Sequence, residues 1–166
     1  TMATYLGGTA VVVRENLPSE LLEVVERHKV TNCFLVPALL QFMTAVPGVE
    51  ERDFSYLRVM LYGAAPISVE VLKRSMRIFG CKFAGAYGLT ESCNGVTTLP
   101  WEDHDADGPR AHLLQSAGKA HPNVTLRIVD PVNGDQLTPG EVGEIWVRSD
   151  QLMKGYWKNP EATAET

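Results

Sequence analysis

The stretch AYGLTE, residues 86–91, sets an aromatic ring, a glycine, a hydroxyl and a carboxylate side by side at the end of an apolar run. Thr90 supplies a donor for a phosphate oxygen. Glu91 supplies a hard anionic oxygen for Mg²⁺, an ion that takes one or two protein carboxylates and completes its shell from water and phosphate. Tyr87 offers an aromatic face, with Gly88 beside it in the same loop. A second stretch, Gly63-Ala64-Ala65-Pro66, consists of small residues that let a flat group lie close to the backbone. A planar base, a phosphate and a metal would fit these two loops. The alternative reading is two ordinary βα turns, with Tyr87 a core aromatic at a strand end and Glu91 solvated. The sequence shows no Ser/His/Asp or Cys/His constellation: His28, His104, His112 and His121 are scattered and read as surface or loop residues.

Such loops need strands and helices to hold them. From the start to about residue 90, apolar strand-like runs (10–13, 33–36, 57–62, 82–87) alternate with amphipathic helical ones (19–29, 38–46, 68–79). This is the βαβ pattern of an α/β fold with a mostly parallel sheet. Several runs are apolar at consecutive positions, which predicts helices on both faces. In the third helix Leu72, Met76 and Phe79 share a face, Ser68 is placed to cap it and Gly80 to stop it. Both candidate loops leave the carboxyl ends of strands, where parallel sheets bind ligands, and are expected to open on one crevice.

The second half changes character. Residues 125–129 and 144–148 alternate as half-buried strands do, with Ile145 and Val147 on one face and Glu144, Trp146 and Arg148 on the other. The intervening PVNGDQLTPGEVG carries the turn signals Asn133-Gly134 and Pro139-Gly140, predicting an antiparallel hairpin in a small β unit. The acidic PWEDHDADGP, residues 100–109, reads as a solvated connector. The expected organisation is an α/β subdomain over 1–99, a connector over 100–115, and part of a small antiparallel β-barrel-like subdomain over 116–166.

A chain of 166 residues with a net charge of −5 and no basic block argues against nucleic acid as the main partner. No apolar run reaches membrane-spanning length, and the start lacks the features of a signal peptide. Cys33, Cys81 and Cys93 are odd in number and lack metal-ligand spacing, which predicts reduced thiols in a cytoplasmic protein, Cys33 and Cys81 belonging to the core.

The order LYGAAPISVEVL, AYGLTES, SAGKAHPNVTLRIVDP, PGEVGEIWVRSDQLMKGYWKNPEAT closely resembles successive motifs of the adenylate-forming enzymes, the AMP-binding acyl-CoA synthetase and ligase family. The likeness runs from about Gly8 to Thr166. Leucine within YGLTE and the wording of GYWKNPEAT look more like acyl-CoA ligases than peptide-synthetase adenylation domains. The resemblance implies that Gly63, Ala64, Ala65 and Pro66 form the adenine-side loop and that Tyr87, followed by Gly88, packs on adenine. It implies that Thr90 contacts the α-phosphate and that Glu91 holds Mg²⁺. Gly85 and Ala86 match positions lining the acyl pocket, with Gly63 at its wall and Gly118 close by. Glu144, Gly155 and Tyr156 fall in motifs read as structural, Gly155 for backbone approach.

The implied reaction joins a carboxylic acid to ATP, releasing pyrophosphate, and then passes the acyl group from AMP to a thiol, usually that of coenzyme A. Fatty or other hydrophobic acids are the expected substrates. The family's phosphate loop ending in Pro-Lys-Gly, its ribose-gripping aspartate motif and its C-terminal lysine domain have no match here. The chain therefore reads as part of a larger enzyme, expected to be inactive alone. Exposed apolar surface and self-association are further expectations. The rival reading is a nucleotide-binding or assembly module that kept the fold without the chemistry.

Overall fold

The computed structural model describes residues 2–14 and 17–166. The chain divides after Phe83 into two compact units. It is mixed α/β, with parallel βαβ architecture early in the chain and a separate small antiparallel sheet late in it.

The first unit contains α1 (Met2–Tyr5), α2 (Pro18–Arg27), β1 (Asn32–Leu35), α3 (Pro37–Thr44), β2 (Val59–Gly63), α4 (Val69–Phe79) and the start of β3 (Lys82–Leu89). β1 and β2 pair in parallel from Asn32↔Val59 to Leu35↔Tyr62, with α3 in the crossover that parallel strands require. Leu22 of α2, Leu40 and Met43 of α3, Met60 of β2 and Leu72 of α4 are almost completely buried and form the core. Phe79 meets Phe54 edge to face, ring centres 4.9 Å apart. The ends of α4 follow their sequence signals: Ser68 Oγ accepts from Val71 N at 3.2 Å, and Gly80, at φ 58°, closes the helix through its N–H to Met76 O. Met76 stays half-buried, and Ser75 completes the buried stripe by donating to Val71 O at 2.7 Å.

Two expectations for this unit do not hold. Residues 10–13 form no strand; nothing among the described residues pairs with them, and Val12 is 91% exposed. Nor do helices cover both faces of the β1–β2 pair. α3 packs against both α2 and α4, and among the described residues no helix shields the face that carries Phe34 and Leu61. Phe34 and Leu61, directly opposite each other in the ladder, are exposed on these strands, in line with the expected apolar surface. Cys33 and Cys81 are half-buried, shielded but less enclosed than the core residues expected of them. Cys33 Sγ lies 3.1 Å from Met60 Sδ, and burial pushes its pKa up to about 12; burial likewise raises Cys81 to about 11. Both are un-ionised at neutral pH and are poor nucleophiles.

The second unit continues β3 from Ala84 and adds β4 (Asn94–Leu99), β5 (Lys119–Ala120), β6 (Thr125–Val129), β7 (Glu144–Arg148) and α5 (Pro160–Glu165). β6 and β7 pair antiparallel from Thr125↔Arg148 to Val129↔Glu144, at the positions their alternation indicates. Gly134, at φ 74°, turns the connection, its N–H reaching Asp130 O at 2.8 Å. β4 and β5 are additional to the sequence reading. β4 runs antiparallel to β3, and Thr97 and Thr98 pair with Ala120 and Lys119 of β5.

Within the stretch read as a solvated connector, two 3₁₀ turns (Trp101–Asp103 and Ala111–Gln115) bury Asp103 and His104. Arg110 Nη1 donates to Asp103 Oδ1 at 2.7 Å, and Lys119 Nζ lies 3.5 Å from Oδ2, so the buried carboxylate is paired. His104 Nδ1 lies 2.9 Å from Pro100 O, and loss of solvent lowers its pKa below the usual 6.5. Below that value the unfolded chain binds the extra proton more readily than the folded one. The stability linked to His104 is therefore complete above about pH 6.5 and is lost as pH falls through the folded-state value. Urea midpoints compared at pH 7 and pH 5 should show a decline on acidification that His104→Asn flattens. Equal declines in the two proteins would exclude His104 as the source.

Candidate functional site

AYGLTE closes β3 and enters a tight turn over Thr90–Cys93. The ladder with β4 runs Gly85↔Leu99, Ala86↔Thr98 and Tyr87↔Thr97, then shifts register before Gly88↔Gly95 and Leu89↔Asn94. That bulge brings the two backbones together: a Cβ on Gly88 would lie 2.4 Å from Asn94 O and 2.6 Å from Gly95 Cα. Gly88 is thus needed for the strand exit itself. Ser92, buried at the turn's centre, accepts from Leu89 N at 3.0 Å and donates to Asn94 O at 2.6 Å, with Leu89 O at 2.9 Å. Cys93 completes the turn at φ 56°, its N–H donating to Thr90 O at 2.9 Å.

This geometry leaves Thr90 exposed and Glu91 partly so, with Tyr87 and Ala86 half-buried and Gly85 buried. The segment after β7 folds onto the turn. Gln151 Nε2 donates to Ser92 O at 3.0 Å and Gly95 O at 3.1 Å, and Met153 N donates to Glu91 O at 2.8 Å. Tyr156 Oη donates to Glu91 Oε1 at 2.5 Å. That hydrogen bond holds the Glu91 carboxyl below its usual range and raises the Tyr156 phenol. Leu89, Glu91, Ser92, Trp146, Met153 and Gly155 are among the walls of an open cleft of about 850 Å³. An ionised carboxylate at the edge of such a cleft can meet a cation or steer the charge of an entering ligand.

The other loop follows β2. Gly63 is buried, whereas Ala64, Ala65 and Pro66 are exposed. Ala64 sits at φ 66°, left-handed backbone that a residue with a Cβ occupies at a cost. This loop belongs to the first unit, and Gly85, Ala86, Tyr87, Gly88, Thr90, Glu91 and Gly118 belong to the second.

A model of the AMP-binding enzyme family matches residues 1–157. The chain belongs to the AMP-binding enzyme family. Its relatives include ligases. It is 37% identical over 160 residues to fatty acid–[acyl-carrier-protein] ligase ScoC of Streptomyces coeruleorubidus, covering 96% of this chain and 30% of that one. It is 37% identical over 162 residues to feruloyl-CoA synthase of an Amycolatopsis species, covering 96% and 31%. Among solved structures, amide bond synthetase McbA from Marinactinospora thermotolerans superposes with a TM-score of 0.85 at 35% identity, over 96% of this chain and 31% of that one. The chain thus spans about a third of the length of these relatives.

Within this family member, Gly118 lies against β4. At φ 92°, a Cβ there would lie 2.1 Å from Thr98 C and 2.2 Å from Leu99 N, and these residues pair with Ala86 and Gly85 on β3. Gly155 allows the backbone approach expected of it: at φ 142°, its Cβ would stand 2.6 Å from Thr163 Cγ2. Glu144 stays with the β unit, accepting from Trp146 Nε1 at 3.1 Å. Tyr156 does more than the structural reading allows, since its phenol reaches Glu91. Ser92 and Gln151 also escape the sequence reading. For Ser92 a signal exists in its place straight after YGLTE; for Gln151 no local pattern points to the turn.

Proposed function

We propose that the full-length protein is an ATP-dependent acid–thiol ligase for fatty or other hydrophobic acids, acting in the cytoplasm. A substrate carboxylate oxygen bonds to the α-phosphorus of ATP as the bond to the pyrophosphate oxygen breaks. The resulting acyl-adenylate is attacked at its acyl carbon by the thiolate of coenzyme A, and AMP leaves. The observation that carries this reading is the YGLTE turn in a chain of the AMP-binding family, where the ionised Glu91 carboxylate lines a cleft and the Thr90 hydroxyl next to it in sequence is exposed. A carrier-protein ligase and a CoA synthase among the relatives support thiol chemistry, while the amide bond synthetase marks the acceptor as the variable part.

Thr90 is assigned to donate to an α-phosphate oxygen, and Tyr87 with Gly88 and the residues Gly63, Ala64, Ala65 and Pro66 to the adenine. Gly85 and Ala86, with Gly63 and Gly118, are assigned to the acyl chain. Glu91 fits a magnesium role: it is a hard, ionised carboxylate that lines the cleft, and Mg²⁺ is commonly held by one or two carboxylates together with substrate phosphates. When bound, Mg²⁺ supplies positive charge against the crowded phosphate oxygens. The protein's part is to align acid and phosphate and to offset charge, work that needs no covalent enzyme intermediate.

ATP–pyrophosphate exchange by the full-length protein, screened against acids of graded length, tests the reading. Exchange is expected with medium and long hydrophobic acids. Absence of exchange with every acid would transfer support to a non-catalytic nucleotide-binding module. Residues 1–166 alone, which carry no phosphate loop ending in Pro-Lys-Gly, are proposed to give no exchange.

A further inference from the structure

The turn after β3 is held from outside. The backbone carbonyls of Glu91, Ser92 and Gly95 and the carboxylate of Glu91 all accept from residues 151–156. Tyr156 is itself anchored. Its N–H donates to Thr163 Oγ1 at 2.9 Å, and that hydroxyl donates to Asn159 O at 2.7 Å. Asn159 Oδ1 caps α5 by accepting from Ala162 N at 3.1 Å, and Gly155 leaves no room for a Cβ against Thr163. The phenol therefore projects from a stiff base rather than from a free loop.

A phenol has one proton, and this one goes to Oε1 of Glu91. We infer that Tyr156 is a positioning residue for Glu91: by occupying Oε1 it makes Glu91 a one-oxygen ligand, presenting Oε2 to the cation. The inference rests on the magnesium role proposed for Glu91. It has a consequence for ion choice. Mg²⁺ demands near-ideal octahedral geometry and is suited by single carboxylate oxygens, whereas Ca²⁺ accepts a carboxylate through both. A carboxylate with one oxygen already engaged disfavours the calcium mode.

The test is calorimetric titration of the full-length protein with an α,β-methylene ATP analogue in Mg²⁺ and in Ca²⁺. The proteins compared are the unaltered protein, Tyr156→Phe, Glu91→Gln and the double variant. Tyr156→Phe is expected to weaken Mg²⁺-dependent binding about tenfold, the scale seen when a group that orients a metal ligand is removed. Ca²⁺-dependent binding should fall less, narrowing the preference for Mg²⁺, and Tyr156→Phe should add nothing in the Glu91→Gln background. If the unaltered protein binds the analogue with Mg²⁺ and Tyr156→Phe changes neither affinity nor preference, the positioning role is overturned and the ligase reading stands. An equal loss with both ions, or a loss that persists without Glu91, likewise overturns it. If the unaltered protein shows no Mg²⁺-dependent binding, the ligase reading and this inference fall together.

Discussion

Glu91→Gln in the full-length protein is expected to slow acyl-adenylate formation by about two to three orders of magnitude, the scale on which removal of one preorganised charge-stabilising group acts. The amide keeps the size of the carboxylate, and its carbonyl oxygen can still accept the Tyr156 proton. The brace from the segment after β7 is therefore expected to survive, together with the Met153 N–H bond to the Glu91 carbonyl, which the substitution does not touch. What is lost is the negative charge at the cleft. The melting temperature should therefore move by only about 2 °C, as expected for a near-neutral change at a partly exposed site. Pyrophosphate exchange and a thermal melt on the same preparation check both halves. A melting temperature that collapses along with the rate would return Glu91 to a structural role.

The second large effect is on stability. Gly118→Ala should destabilise the second unit by about 2–5 kcal/mol, combining left-handed strain of roughly 1–2 kcal/mol with overpacking of roughly 1–3 kcal/mol. The added methyl would lie 2.1 Å from Thr98 C and 2.2 Å from Leu99 N. Those are backbone atoms of a paired strand, and no side-chain rotation can clear them. Gly140 supplies the control. It sits at φ 102°, and a methyl added there would meet nothing within 4 Å, so Gly140→Ala should carry the backbone cost alone, about 1–2 kcal/mol. Urea unfolding of the two variants separates close approach from conformational strain. Equal losses would mean that the chain around Gly118 yields freely to the methyl. Any activity change in Gly118→Ala can be assigned to the acyl pocket only after this loss of fold is subtracted.

Local signals are the legible ones. Period-two alternation places β6 and β7 residue for residue, and the serine and glycine bounding α4 mark its ends. β4 escapes notice although NGVTTL contains β-branched residues, because βαβ order favours a helix after YGLTE. The apolar run at 10–13 resembles a strand, yet a strand is defined by its partner and nothing among the described residues pairs with it. Coverage of β1 and β2 is misleading for a related reason: consecutive apolar residues report hydrophobicity, not which faces are covered. At the candidate site, the types and order of Tyr87, Thr90 and Glu91 are readable from the motif. The bond from Tyr156 to Glu91 is not, since a contact between residues 65 apart leaves no periodic trace.

That separation also has a meaning in time. During synthesis Glu91 is joined to the chain 65 residues before Tyr156, an interval of roughly 3–13 s at ordinary translation rates. Gln151 and Met153 arrive only shortly before the tyrosine, so the nascent turn spends nearly all of that interval without the donors that will hold its carbonyls. Glu91 is thus displayed early and aimed late. A ribosome that stalls or terminates in this window releases a chain whose motif is intact to the eye but whose carboxylate has never been set.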